Sequence, residues 1–138
     1  MTLRITQSAY DEIVAHARSE APIEACGYVG AVDGIATTSL RLTNADHSPE
    51  HFSFDPAEQF AAVRTLRKAG LQLGVVYHSH PASPARPSQE DIRLAFDPAI
   101  TYVIVSLAAA TPDLRAFLIR NGGVTPEPVE VLHNAHNA

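Results

Sequence analysis

The stretch from Leu73 to Pro87 constrains the fold of this chain more than any other. It opens with the β-forming residues Val75, Val76 and Tyr77, closes on His78-Ser79-His80-Pro81, and meets proline again at positions 84 and 87. Proline has no amide hydrogen and fixes φ at about −65°, so neither a sheet ladder nor a helix runs through such a segment. The stretch therefore predicts a strand that stops at His80, followed by a stiff loop with few unfolded conformations to lose.

Side chains two apart on a strand share a face, so His78 and His80 present two imidazoles on one side of the sheet. Downstream, Ser88-Gln89-Glu90-Asp91 has the form of a helix start, with Ser88 as N-cap and Asp91 at the third helical position. If the proline loop folds back, Asp91 becomes a third zinc ligand and the fourth tetrahedral position is left to water, the arrangement of a catalytic site. A closed structural site usually takes several cysteines, and Cys26 is the chain's single one. A carboxylate is then wanted to take the water's proton and hand it to a leaving amine. Glu24, beside the small residues Ala25 and Gly27, is the candidate, although taken alone it reads more readily as a solvated charge at a strand end. Ser88 has two available duties, capping the helix and donating its hydroxyl hydrogen to an oxyanion. A ligand role commits one oxygen of Asp91, so Asp91 is not expected to close a reciprocal capping box with Ser88.

Around this centre the pattern alternates. Tyr10, Ile13, Val14 and Ala17 have the spacing of one buried helix face, with Thr6 or Ser8 as N-cap and Ala21-Pro22 as the stop. Glu24 to Gly30 and Ala36 to Leu42 read as a hairpin turning at Asp33-Gly34. A polar loop follows from Asn44 to Phe54. Asp55-Pro56-Ala57-Glu58 then opens a helix to about Lys68, closed by Gly70. A short helix from Ser88 to about Phe96 and strands at Thr101–Leu107, Leu114–Arg120 and Pro128–Leu132 complete the reading. Interleaved strands and helices of this kind predict an α/β or α+β domain over residues 1–132, with a frayed tail at 133–138.

At 138 residues the chain can bury a core without disulfides. A net charge of −5 with no basic run argues against nucleic acid as a partner. No apolar stretch approaches membrane-spanning length, and Met1 leads into polar, amphipathic sequence, so a soluble cytoplasmic protein is expected. Exposed sheet edges would allow a homodimer. Cys26 shares a strand face with Glu24, which makes it either a rival nucleophile or a buried residue lining the pocket. His47 and His51, in the polar loop, are candidates for contacts on the substrate side. His133 and His136 fall in the tail. A zinc deaminase would need H-x-E and a cysteine pair, neither of which is present.

Taken together, Glu24, His78-Ser79-His80-Pro81 and Ser88-Gln89-Glu90-Asp91 resemble the JAMM or MPN+ metallopeptidases. That family's pattern is a glutamate, then H-x-H-P, then S-x-x-D, with ten residues between the second histidine and the aspartate; residues 81 to 90 fill the interval here. The resemblance extends over about residues 3 to 132. It implies a curved mixed β-sheet flanked by helices, related to cytidine deaminases. It also implies one Zn2+ per chain on His78, His80 and Asp91, Glu24 as general base and Ser88 as oxyanion helper. The small size and the Glu-Ala-Cys-Gly segment at 24–27 look most like bacterial members that act on ubiquitin-like β-grasp sulfur-carrier proteins or their conjugates, cleaving after a C-terminal diglycine. The alternative within the family is a non-catalytic protein-interaction module that keeps the fold.

Overall fold

The computed structural model describes residues 1–133. From residue 134 on, the expected tail lies outside the described residues, and His136 with it. The elements are β1 (Leu3–Thr6), α1 (Gln7–Glu20), β2 (Cys26–Val32), β3 (Ile35–Leu42), α2 (Pro56–Lys68), β4 (Gln72–His80), α3 (Gln89–Leu94), β5 (Thr101–Ser106), β6 (Asp113–Arg120), β7 (Gly123–Glu127) and β8 (Val129–Leu132).

The helix boundaries follow from their caps. Thr6 Oγ1 accepts the amide of Ala9 at 3.2 Å, and α1 buries Ala9, Ile13, Val14 and Ala17 together with His16. Asp55 accepts the amide of Ala57 at 3.0 Å with Pro56 in the first turn of α2, and Gly70 takes a φ of 78° just past the helix end. Glu58 does not bend back onto its own helix. It accepts from the amide and hydroxyl of Thr43 at 2.6 and 2.8 Å, pinning α2 to the exit of β3. The β2–β3 hairpin turns at Asp33 and Gly34, with φ of 54° and 76°.

The eight strands form one mixed sheet in the order β7-β6-β5-β4-β2-β3-β1-β8, with β4–β5, β1–β3 and β1–β8 parallel. Only Pro128 separates β7 from β8, the two ends of that order, so the sheet has to curl until its edges nearly meet. The amide of Leu3 donates to the Pro128 carbonyl at 2.9 Å at this seam. Near closure covers edges that would otherwise invite pairing with another chain. Sequence pattern did not anticipate β1 or β7. The first is four residues long, and the second contains Pro126 and is exposed along most of its length, so neither carries a readable alternation.

Two cores flank the sheet. Ile5, Ile13, Val29, Val75, Tyr77 and Val103 pack beneath α1, while Cys26, Tyr28, Ala62, Val76, Ile104 and Phe117 pack on the side of α2 and α3. The period of two along β4 sends Val75 and Tyr77 to the α1 side and Val76, His78 and His80 to the other. Tyr77 reaches across Gly27 to His16 Nδ1, 2.6 Å from its hydroxyl, so α1 is keyed to the strand that carries the histidines. Among the described residues no helix is long and apolar enough to cross a membrane.

Candidate metal centre

The site forms where β4 ends. Ser79, between the two histidines, points to the opposite face and is fully buried. Its amide donates to the Ala25 carbonyl at 2.9 Å and its hydroxyl accepts from the Ala25 amide at 2.7 Å. These two bonds carry Glu24, two residues before the start of β2, alongside the strand end.

His78 Nε2 and His80 Nε2 lie 3.1 Å apart, and Asp91 Oδ2 is 3.1 Å from the first and 3.3 Å from the second. His80 Nδ1 lies 2.8 Å from the Pro84 carbonyl, which can only accept, so Nδ1 keeps a hydrogen and the neutral form of the ring has its lone pair at Nε2. The proline loop is thus a tautomer lock as well as a spacer. Ser106 of the neighbouring parallel strand donates its hydroxyl to the Ser83 carbonyl at 2.6 Å and holds that loop down. The His78 ring stacks on Phe52 with centroids 4.6 Å apart.

One expectation fails at Asp91. The capping box is complete: Ser88 Oγ accepts the Asp91 amide at 3.0 Å, and Asp91 Oδ2 accepts the Ser88 amide at 2.9 Å. The oxygen that faces the histidines also closes the box, because a carboxylate oxygen has two lone pairs and the helix start directs one to each task.

Burial pulls on every group here. It would raise the Asp91 carboxyl, but hydrogen bonds from His78 and His80, the charge of His78 and the Ser88 amide hold it well below the usual carboxylate range. Burial lowers His78 against the pull of Asp91. It would lower His80 too, yet Asp91 and the Pro84 carbonyl carry that ring above its ordinary value. Glu24 is the most displaced. Burial first, with Asp91 adding and His80 opposing, pushes its carboxyl up to about 8. Its Oε1 is buried without a hydrogen-bond partner. Its backbone, by contrast, is clamped: the amide donates to Ser48 O at 2.9 Å and the carbonyl accepts from Asn44 Nδ2 at 3.1 Å.

Asn44 and Phe52 were not singled out by sequence pattern, nor was the Pro84 carbonyl. Asn44 organises the whole 44–53 loop, also donating to the carbonyls of Ser48 and His51 and accepting from the amides of Asp46 and Ser53. An asparagine leaving a strand into a polar loop is a turn signal, and that is the cue that could have marked it. The other loop candidates do not join the site. His51 Nδ1 faces Asp46 at 3.0 Å, and His47 is an exposed turn residue with a φ of 47°. Cys26 is fully buried in the α2-side core, where burial pushes its thiol up to about 12; it is a packing residue and no nucleophile.

The nitrogen and carboxylate ligand atoms of His78, His80 and Asp91 all lie within 4.8 Å of one another. Two imidazole lone pairs and an anionic oxygen converging on one point is a donor set that can hold a divalent metal, and the unpartnered Glu24 oxygen fits a neighbour that is absent from the protein itself. A curled mixed sheet presents this group beside a buried carboxylate. Residues 6–120 match the family described as prokaryotic homologs of the JAB domain, and the chain belongs to that family, the JAMM/MPN proteins. It is 38% identical over 133 residues to the CysO-cysteine peptidase of Mycobacterium tuberculosis, covering 94% of this chain and 91% of that protein. It is 33% identical over 123 residues to a probable TtuB-protein conjugate cleaving protease of Thermus thermophilus, covering 88% and 79%. The solution structure of protein DSY2949 from Desulfitobacterium hafniense superposes with a TM-score of 0.86 at 43% identity, covering 100% of this chain and 99% of that one. Like these peptidase relatives, the chain is a hydrolase.

Proposed function

We propose that this protein is a zinc-dependent peptidase that hydrolyses the peptide or isopeptide bond after the C-terminal diglycine of a ubiquitin-like sulfur-carrier protein. The relatives named for CysO-cysteine and for TtuB conjugates support that substrate class. A diglycine tail suits a site sunk at a strand end, because a backbone without side chains approaches closely.

His78, His80 and Asp91 would hold one zinc ion. When bound there, zinc would supply Lewis-acid polarisation of the scissile carbonyl and acidify the attacking water. Glu24 takes a proton from the attacking water and delivers it to the leaving amine. A carboxyl lifted by burial towards neutrality can do both within one turnover, since its two protonation states are close in free energy at working pH. Ser88 contributes its hydroxyl hydrogen to the substrate oxygen as negative charge develops there, its own oxygen being engaged by the Asp91 amide. The carrying observation is Glu24 Oε1, buried beside the triad and unpartnered. An orphan acceptor of this kind costs a few kcal/mol, about 1–3 by general experience, and a catalytic duty accounts for its retention.

The test combines metal analysis of the purified protein with cleavage of a carrier bearing one residue after its terminal diglycine. One zinc per chain, cleavage after the second glycine, and loss of cleavage in Glu24→Ala with zinc retained are expected. A protein without stoichiometric zinc, or a variant that cleaves at the normal rate, defeats the reading.

A further inference from the structure

Beside the His78–Asp91 pair lies a cavity of about 200 Å³ that the mechanism leaves without a use. Its walls are Phe52, Phe54, Leu94, Phe96, Ile104 and Ile119, and His78 and Asp91 also line it. Leu94 and Phe96, at the end of α3 and just beyond it, are 57% and 66% exposed, unusual for large apolar side chains that have a cavity at hand. An engineered cavity of roughly 150 Å³ takes benzene, so this one has room for a branched aliphatic or aromatic side chain.

The polar groups that reach its lining are already engaged. The Tyr102 hydroxyl accepts from the amides of Phe96 and Asp97 at 3.2 and 3.1 Å and donates to the Asp97 carbonyl at 3.4 Å. Ser53 donates its hydroxyl to Asp46 at 2.8 Å. His78 and Asp91 are turned to each other. Carbon is what remains to meet an occupant. A charged or strongly polar side chain placed there would shed its hydration with no partner to replace it.

We infer that this cavity receives the side chain of the residue released from the carrier, and that the protein selects an apolar leaving residue. The inference rests on the diglycine reading of the same site and deepens it. The two glycines before the bond have no side chain to offer. The third residue back has its Cα about 7 Å upstream of the last glycine along an extended chain. The leaving residue has its Cα one peptide unit away, about 3.8 Å, and is the nearest side chain to a cavity that His78 and Asp91 help to line.

The experiment uses carriers ending Gly-Gly-X, X joined through its α-amine, with X = Leu, Phe, Gly, Ser or Asp. The terminal carboxylate is common to all and cancels. Wild type is expected to cleave X = Leu and Phe with kcat/KM at least about 10-fold above X = Ser and Asp. Phe96→Ser and Leu94→Ser, both at exposed positions, should lower kcat/KM for Leu by about 10-fold and leave X = Gly unchanged. Equal rates for Leu and Asp overturn the inference. So does a Phe96→Ser variant that slows X = Gly as much as X = Leu, the result expected if the cavity held a carrier residue. Binding of the same carriers to Glu24→Gln separates this inference from the reading beneath it. A Leu-over-Asp preference in binding, with no cleavage by wild type, removes the proposed function and keeps the pocket. Cleavage without preference removes the pocket alone, and neither binding nor cleavage removes both.

Discussion

Replacing Glu24 by Gln tests whether the energetic oddity of the site is the one described. The carboxyl is raised from 4.5 to about 8, chiefly by burial, with Asp91 reinforcing and His80 opposing. A folded value above the unfolded one means that the fold prefers the protonated form. Stability from this group is therefore whole below the unfolded value of 4.5 and drains away as pH climbs to the folded value of about 8. Each pH unit between the two values is worth about 1.4 kcal/mol, which sets a ceiling of about 5 kcal/mol. Water at the cleft mouth screens part of this, leaving about 2–3 kcal/mol.

Glutamine keeps the shape and cannot ionise. Stripped of metal, the Glu24→Gln protein should match wild type near the acid end and exceed it by about 2–3 kcal/mol at about pH 9. His78, His80 and Asp91 are common to both proteins and largely cancel in the difference. Urea unfolding of chelator-treated samples across that range, read as the difference between the two proteins at each pH, is the measurement. A flat difference would refute the account of Glu24 as a buried, unpartnered carboxyl. The same substitution should cut cleavage by about 100- to 10,000-fold, since it removes the proton carrier.

Ser88→Ala should cost about 1 kcal/mol through the lost cap and about 100-fold in kcat through the lost donor, with zinc content unchanged by metal analysis; a normal rate removes Ser88 from the chemistry. Asn44→Ala should destabilise by about 2–4 kcal/mol, because the carbonyls of Glu24 and His51 lose their donor together and that of Ser48 keeps only the Glu24 amide. Faster amide exchange confined to the 44–53 loop would locate the damage, and a change under about 0.5 kcal/mol would show that the loop is held by other means. Gly27→Ala should be the most severe, at about 3 kcal/mol or more by thermal melting. A Cβ there overlaps the Leu40 carbonyl of the paired strand and comes within 2.5 Å of the Tyr77 ring, and neither can retreat without opening the ladder or the contact with His16.

The parts of the fold legible in the sequence are those set by neighbours along the chain. Thr6, Asp55 and Ser88 cap the three helices as their positions suggest, Gly70 follows α2, and Asp33-Gly34 turns the hairpin. β1 and β7 were not legible, because what makes them strands lies far away in sequence. Leu3 to Thr6 pairs in parallel with Val129 to Leu132, while Val124 to Glu127 leans on β6 with little burial of its own. A four-residue strand between two distant partners has too few positions to show a period of two.

The site divides along the same line. That His78 and His80 share a face is a property of any strand, and the distance to Asp91 is set by a proline-stiffened loop, so the meeting of these three side chains can be read from residue types and spacing. What the histidines and Glu24 experience cannot be. The tautomer of His80 depends on a main-chain carbonyl at Pro84, which no residue type encodes. The depth of Glu24 depends on Ala25 bonding twice to Ser79 and on Asn44 clamping the Glu24 carbonyl, contacts spanning 54 and 20 residues. Asp91 shows the limit most sharply. A cap and a ligand look like competing assignments on paper, and only the direction in which α3 leaves the proline loop lets one oxygen face both the Ser88 amide and the histidines. The helix start thereby positions the site: loss of the Ser88 amide bond would free the oxygen that faces the two imidazoles.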